Sequence, residues 1–265
     1  MTSPTDQLPA MQAPEVTTHW LGAPLAAWRL LRVLGFLLKS VLLSYTWWPR
    51  LNQAERLREK RLWALQALGI MGLKVHVHGQ AHAGAKLVVA NHVSWLDILA
   101  IDASITARFV SKAEIATWPL IGRLATFSGT LYLVREKRRD AMRVLGIMSQ
   151  SLKDGDTVAV FPEGTTGAGP VPLHFHGNML QAAIDAQVPV QPVVLRYSDG
   201  QHAFSPRAMW IGDTTLVQSL WWVASGRGLS VHVTILPPQA TTHADRRALS
   251  ASLHEQIAAS LRSQA

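Results

Sequence analysis

The chain has 265 residues, 48% of them hydrophobic, no cysteine and a formal net charge of +8. That length suits one α/β domain with an appendage and a sizeable core; the lack of cysteine excludes disulfides, thiolate metal ligands and a thiolate nucleophile. The positive excess is concentrated, with Arg29, Arg32, Lys39, Arg50, Arg56, Arg58, Lys60, Arg61 and Lys74 set against only Glu55 and Glu59. Embedded among Trp and Leu, and without a helix-turn-helix, RNP or zinc signature, this charge suits an anionic membrane surface and not nucleic acid.

Residues 1–19 are polar, rich in Pro and Thr, and expected to be disordered, with no signal-peptide pattern. Residues 20–72 are expected to form a membrane-associating helical hairpin broken at Pro49. At about 100° per residue, Arg32, Lys39 and Arg50 fall within about 20° of one another, with Arg29 about 60° away. A basic stripe on an apolar helix suits a helix lying in the interface, with Trp28, Trp47 and Trp48 at headgroup level. The segment from Val33 to Trp48 carries only Lys39 but is slightly short of the ~20 residues of a span, so the interfacial reading is preferred. An amphipathic helix packed on its own domain is the plainer alternative.

Residues 73–265 read as the catalytic domain. Strands are expected at about 74–78, 86–90, 108–112, 130–134, 157–161, 190–197 and 230–236. Helices are expected at about 95–105, 118–126, 138–153, 178–186, 214–225 and 244–262. This alternation predicts an α/β fold, a mixed, mainly parallel sheet flanked by helices. His76 with His78, and His174 with His176, have the spacing of possible metal ligands, but no third ligand accompanies either pair and no metal is expected. The chain has no G-x-S-x-G, H-E-x-x-H, Walker A or G-x-G-x-x-G motif.

Chemistry concentrates at strand ends. In Asn91-His92-Val93-Ser94-Trp95-Leu96-Asp97, the histidine sits where a strand hands over to a helix, the place where open α/β sheets bind ligands. Ser94 and Asp97 have the S-x-x-D spacing of a capping box, which predicts Ser94 as the N-cap. An imidazole just ahead of a helix, with a carboxylate in its first turn, can also form a base oriented by an acid. A second strand leads into Pro162-Glu163-Gly164-Thr165-Thr166-Gly167, a turn able to form an anion-binding nest; taken alone it reads as an ordinary turn with a solvated glutamate. A third strand, Gly129 to Val134, closes in Arg135. The three ends are expected side by side in one cleft.

Together these stretches resemble the glycerolipid acyltransferase family, of the lysophosphatidic acid acyltransferase type. N-H-x-S-x-x-D is matched by Asn91, His92, Ser94 and Asp97, the strand closing in Arg by Gly129 to Arg135, F-P-E-G-T by Phe161 to Thr165, and V-P-[VI]-x-P-V by Val188 to Val193. The resemblance implies acyl transfer from a thioester, acyl-CoA or acyl carrier protein, to the hydroxyl of a lyso-lipid, with no other cofactor. His92 is then the general base and Asp97 its orienting acid; Arg135 and Glu163 contact the acceptor, and Gly164, Thr165 and Thr166 belong to the substrate-binding loop. It further implies work at a membrane, the cytoplasmic face of the inner membrane. Val134 replaces the usual acidic residue of the second block, Thr166 stands where the third commonly continues with Arg, and His176 where a basic residue often follows. The last two thin the positive charge around a glycerol phosphate and motivate lyso-ornithine lipid as the alternative acceptor. Ser94 as a nucleophile, and a non-catalytic membrane-surface protein, are the remaining alternatives.

Overall fold

The computed structural model describes residues 13–16, 22–134 and 138–264, excluding the side chain of Arg138. Most of the segment expected to be disordered, and Arg135, lie outside the described residues. Seven strands are described: β1 (Lys74–His78), β2 (Lys86–Ala90), β3 (Arg108–Lys112), β4 (Leu131–Leu133), β5 (Thr157–Val160), β6 (Val190–Ser198) and β7 (Ser230–Ile235). They form one sheet in the order β1-β7-β6-β2-β5-β3-β4. All neighbours run parallel except β6 and β7, so β1 and β7 point against the other five. The expected mixed, mainly parallel sheet is observed.

The run Lys86-Leu87-Val88-Val89-Ala90 is buried throughout because β2 lies mid-sheet with helices on both faces. Period-two alternation sends Val88 and Ala90 to one core, and Leu87 and Val89 to the other. The first core is closed by α2 (Gln53–Met71), α3 (Leu96–Ser104) and α7 (Leu216–Ser225); the second by α5 (Arg138–Lys153), α6 (Gln181–Ala186) and α8 (Arg246–Arg262), while the short α4 (Ile121–Phe127) lies between β3 and β4 in the chain. The chain therefore leaves β2 toward one face and its neighbour β5 toward the other. Such divergence at the carboxyl ends of neighbouring strands is where open α/β sheets place their ligand sites.

The hairpin consists of α1 (Ala23–Thr46), a 3₁₀ turn at Trp48–Arg50 around Pro49, and α2. An Asn52–Glu55 capping box starts α2, and Gly72, at φ +86°, ends it. A Cβ at Gly72 would also collide with the Arg29 guanidinium. Ala64, Leu68 and Met71 of α2 are part of the first core, and Lys60 is buried against Asp102 at 3.2 Å. Burial raises the Asp102 carboxyl to about 6, against the opposing pull of Lys60. The inner face of α1 packs through Ala26, Ser40 and Ser44, with Phe36 stacked on Trp63 at 5.4 Å. Arg29 departs from the expected basic stripe. It points inward and donates to the carbonyls of Ala224 and Gly226 at 2.9 and 2.6 Å, neutralising the C-terminal end of α7.

The opposite face of α1 exposes Trp28, Leu31, Leu34, Leu38, Leu42 and Tyr45, spaced by three or four residues into one continuous apolar stripe. Among the described residues, no helix is long and apolar enough to cross a membrane.

Candidate active site

The residue after β2, Asn91, prolongs the sheet with its side chain. Its amide donates to the Leu195 carbonyl at 2.9 Å and accepts from the Leu195 N–H at 2.8 Å. His92 follows at the rim. Its Nδ1 lies 2.8 Å from Asp97 Oδ2, and its ring stacks on Phe161 at the end of β5 with centroids 4.1 Å apart. With Nδ1 engaged and the side chain 20% exposed, Nε2 is the nitrogen available to a substrate proton.

Asp97 is fully buried and accepts four hydrogen bonds. Oδ2 takes His92 Nδ1 and the N–H groups of Val93 and Ser94, at 2.7 and 2.9 Å; Oδ1 takes the Tyr197 hydroxyl at 2.7 Å. The expected Ser94 cap is not formed. The helix starts at Leu96 with Trp95 already in αR, so the main-chain donors needing an acceptor are those of Val93 and Ser94, and Asp97 reaches back to supply it. Ser94 Oγ is sealed from solvent and has no hydrogen-bond partner, which puts it out of reach as a nucleophile.

Glu163 is buried, not solvated. Its two oxygens accept from the main-chain N–H groups of His92 and Leu173, at 2.8 and 2.9 Å. Burial pushes its carboxyl up to about 8; the two N–H donors oppose the rise and the nearby Asp97 charge adds to it. In this structure Glu163 braces the loops after β2 and β5, and its oxygens are not turned out to meet an acceptor. A second tie joins the same loops, from Gly167 N–H to the His92 carbonyl at 2.7 Å. Gly164 takes φ +70°, a left-handed conformation that glycine adopts without strain. Thr165 is exposed, whereas the Thr166 hydroxyl donates to the Trp210 carbonyl and holds the next segment in place.

The three strand ends are not all side by side. β2 and β5 are neighbours, but β3 separates β5 from β4, which leads toward Arg135. At about 4.8 Å per strand, that end lies roughly 14 Å across the sheet from β2. Elsewhere, His76, His78 and His232 stack face to face at the sheet margin, with centroids 5.0 and 6.1 Å apart. Among the described residues, no group of three His, Asp or Glu side chains is arranged to hold a metal ion.

Tyr197 is the residue that sequence reasoning missed. Its separation of 100 residues from Asp97 hides the pairing. The available signal was a tyrosine in an otherwise apolar buried strand, since a buried phenol needs a hydrogen-bond partner.

A histidine held by a buried carboxylate at the strand ends of a mainly parallel sheet has the geometry of an oriented general base in an α/β enzyme. The family model described as Acyltransferase matches residues 74–196. The chain is 36% identical over 203 residues to a lyso-ornithine lipid O-acyltransferase of Pseudomonas aeruginosa, covering 76% of this chain and 78% of that protein. It is 36% identical over 197 residues to a 1-acyl-sn-glycerol-3-phosphate acyltransferase of Neisseria gonorrhoeae, covering 74% and 76%. The crystal structure of the 1-acyl-sn-glycerophosphate acyltransferase of Thermotoga maritima shares the fold, with a TM-score of 0.68 at 22% identity over 92% of this chain and 95% of that one. The chain belongs to the glycerolipid acyltransferase family and is an acyltransferase.

Proposed function

We propose that the protein transfers a fatty acyl group from a thioester, acyl-CoA or acyl carrier protein, to the free hydroxyl of lysophosphatidic acid, forming phosphatidic acid. The observation that carries this reading is the bond from His92 Nδ1 to the buried Asp97, which leaves Nε2 free to act as a base. A thioester is already activated, so the difficult partner is the alcohol, which is too weak an acid to ionise near neutral pH. Nε2 takes its proton as the oxygen attacks the acyl carbonyl. Asp97 stabilises the imidazolium, which then returns the proton to the departing thiolate. General-base help is worth ~10²–10⁴ in rate. Thiol release from acyl-CoA by His92→Ala should fall by at least that order with the melting temperature retained; near-wild-type turnover would remove His92 from the reaction.

Lyso-ornithine lipid is the second acceptor reading. Thr166 and His176 stand where related sequences commonly carry basic residues, which thins the positive charge available to a phosphate, and a similar protein of Pseudomonas aeruginosa bears that activity's name. Thiol release measured side by side with lysophosphatidic acid and lyso-ornithine lipid decides between them.

The apolar stripe of α1, flanked by Arg32 and Lys39, supports docking on an anionic membrane, the cytoplasmic leaflet of the inner membrane in our reading. Co-flotation with anionic vesicles, lost in Leu34→Glu/Leu38→Glu, tests it; flotation unchanged in that variant would refute it.

A further inference from the structure

We propose that Tyr197 is a positioning residue for the His92–Asp97 pair: its hydroxyl, 2.7 Å from Asp97 Oδ1, fixes the carboxylate so that Oδ2 is presented to His92 Nδ1. This rests on His92 being the base. Of the four donors on Asp97, three come from its own loop and all three bind Oδ2. They leave the far oxygen unanchored, and a carboxylate held by one oxygen can swing about its Cβ–Cγ bond. Tyr197 supplies the missing anchor from β6. Asn91 sets its register: the two-way amide bond to Leu195 locks β6 two residues before Tyr197, and alternation brings both residues to the first core. The first residue of the Asn91–Asp97 stretch thus positions the side chain that its last residue receives.

The hydroxyl is suited to remain the donor. Burial and the Asp97 charge hold its phenol well above the usual value, so the proton stays on Tyr197. The titratable groups facing Asp97 are His92 from the loop after β2, Glu163 from the loop after β5, and Tyr197 from β6. Because the hydroxyl dipole points its positive end at the carboxylate, it opposes formation of the imidazolium. Without it, protonation of His92 becomes easier, while the orientation needed for turnover is lost.

The test is thiol release from palmitoyl-CoA with lysophosphatidic acid and with lyso-ornithine lipid, at temperatures below each variant's melting point. Tyr197→Phe, His92→Ala, Asp97→Asn and the double variant Tyr197→Phe/Asp97→Asn are compared with wild type. We expect Tyr197→Phe to lower kcat by about tenfold with KM unchanged, the worth of one hydrogen bond to a charged group. The acid limb of its kcat/KM profile should move to higher pH, and adding Tyr197→Phe to Asp97→Asn should cost less than it costs wild type, because the bond it removes there is no longer to a charged group. A purely structural tyrosine would leave the acid limb in place. Wild-type kcat in Tyr197→Phe, an unmoved acid limb, or full additivity with Asp97→Asn, each with His92→Ala impaired, overturns the Tyr197 proposal alone. Wild-type turnover in His92→Ala overturns the general-base reading, and this proposal with it.

Discussion

Asp97→Asn isolates charge from shape. The amide oxygen can take the place of Oδ2 and keep the N–H groups of Val93 and Ser94 and the His92 Nδ1–H, while the NH₂ group turns to the Tyr197 oxygen, which can accept. The phenol proton that Oδ1 accepted then loses its acceptor, so the loss of stability should be about 1–3 kcal/mol. What disappears is the negative charge beside the imidazolium that forms during attack. Unit charges about 4 Å apart interact by about 4 kcal/mol at an effective dielectric of 20, and charge-assisted hydrogen bonds contribute about 1.5–3 kcal/mol. Between 2 and 4 kcal/mol corresponds to roughly 30- to 1,000-fold in kcat. Initial rates of thiol release, with thermal melts on the same samples, measure both quantities. A folded Asp97→Asn protein within threefold of wild-type kcat would refute the view that this carboxylate stabilises an imidazolium.

Two further predictions concern buried charges. Glu163 titrates near 8 in the folded chain against an ordinary value of 4.5, so the native state holds a proton that the unfolded chain releases between those pH values. Stability must therefore fall as pH rises through that window. Melting temperatures of Glu163→Gln between pH 5 and 8 should fall less steeply than those of wild type, and parallel curves would show that Glu163 is ionised throughout. Lys60→Met should cost about 3–5 kcal/mol at pH 8, because it strands the Asp102 charge. The loss should shrink at pH 5, where a proton replaces the lysine, and Lys60→Met/Asp102→Asn should recover most of it in urea melts. Equal losses at both pH values would contradict this account.

The parts of the fold that follow from local pattern were legible in the sequence. The continuous apolar run of β2, buried on both faces, and the alternation of strands with helical segments led directly to a mainly parallel sheet. The His92–Asp97 pair was legible because its members are only five positions apart. What sequence reading misjudged depended on burial or distant register. Glu163 looked like a solvated turn residue because nothing local announces the His92 and Leu173 donors that accompany its burial. The adjacency of the three strand ends failed because strand order follows crossover connections, and β3 enters between β5 and β4. Arg29 was partly legible, as it stood off the stripe formed by Arg32 and Lys39, but its target on α7 lies nearly 200 residues away.

That reach of Arg29 bears on how the first helix can be treated. Shortening the chain past this residue would bare the carbonyls of Ala224 and Gly226 at the foot of α7, whose Ser219 hydroxyl receives the Trp95 indole just three positions from His92. The leading helix is therefore a wall of the enzyme and not a detachable anchor, and trimming it for solubility would unsettle the chemistry it borders.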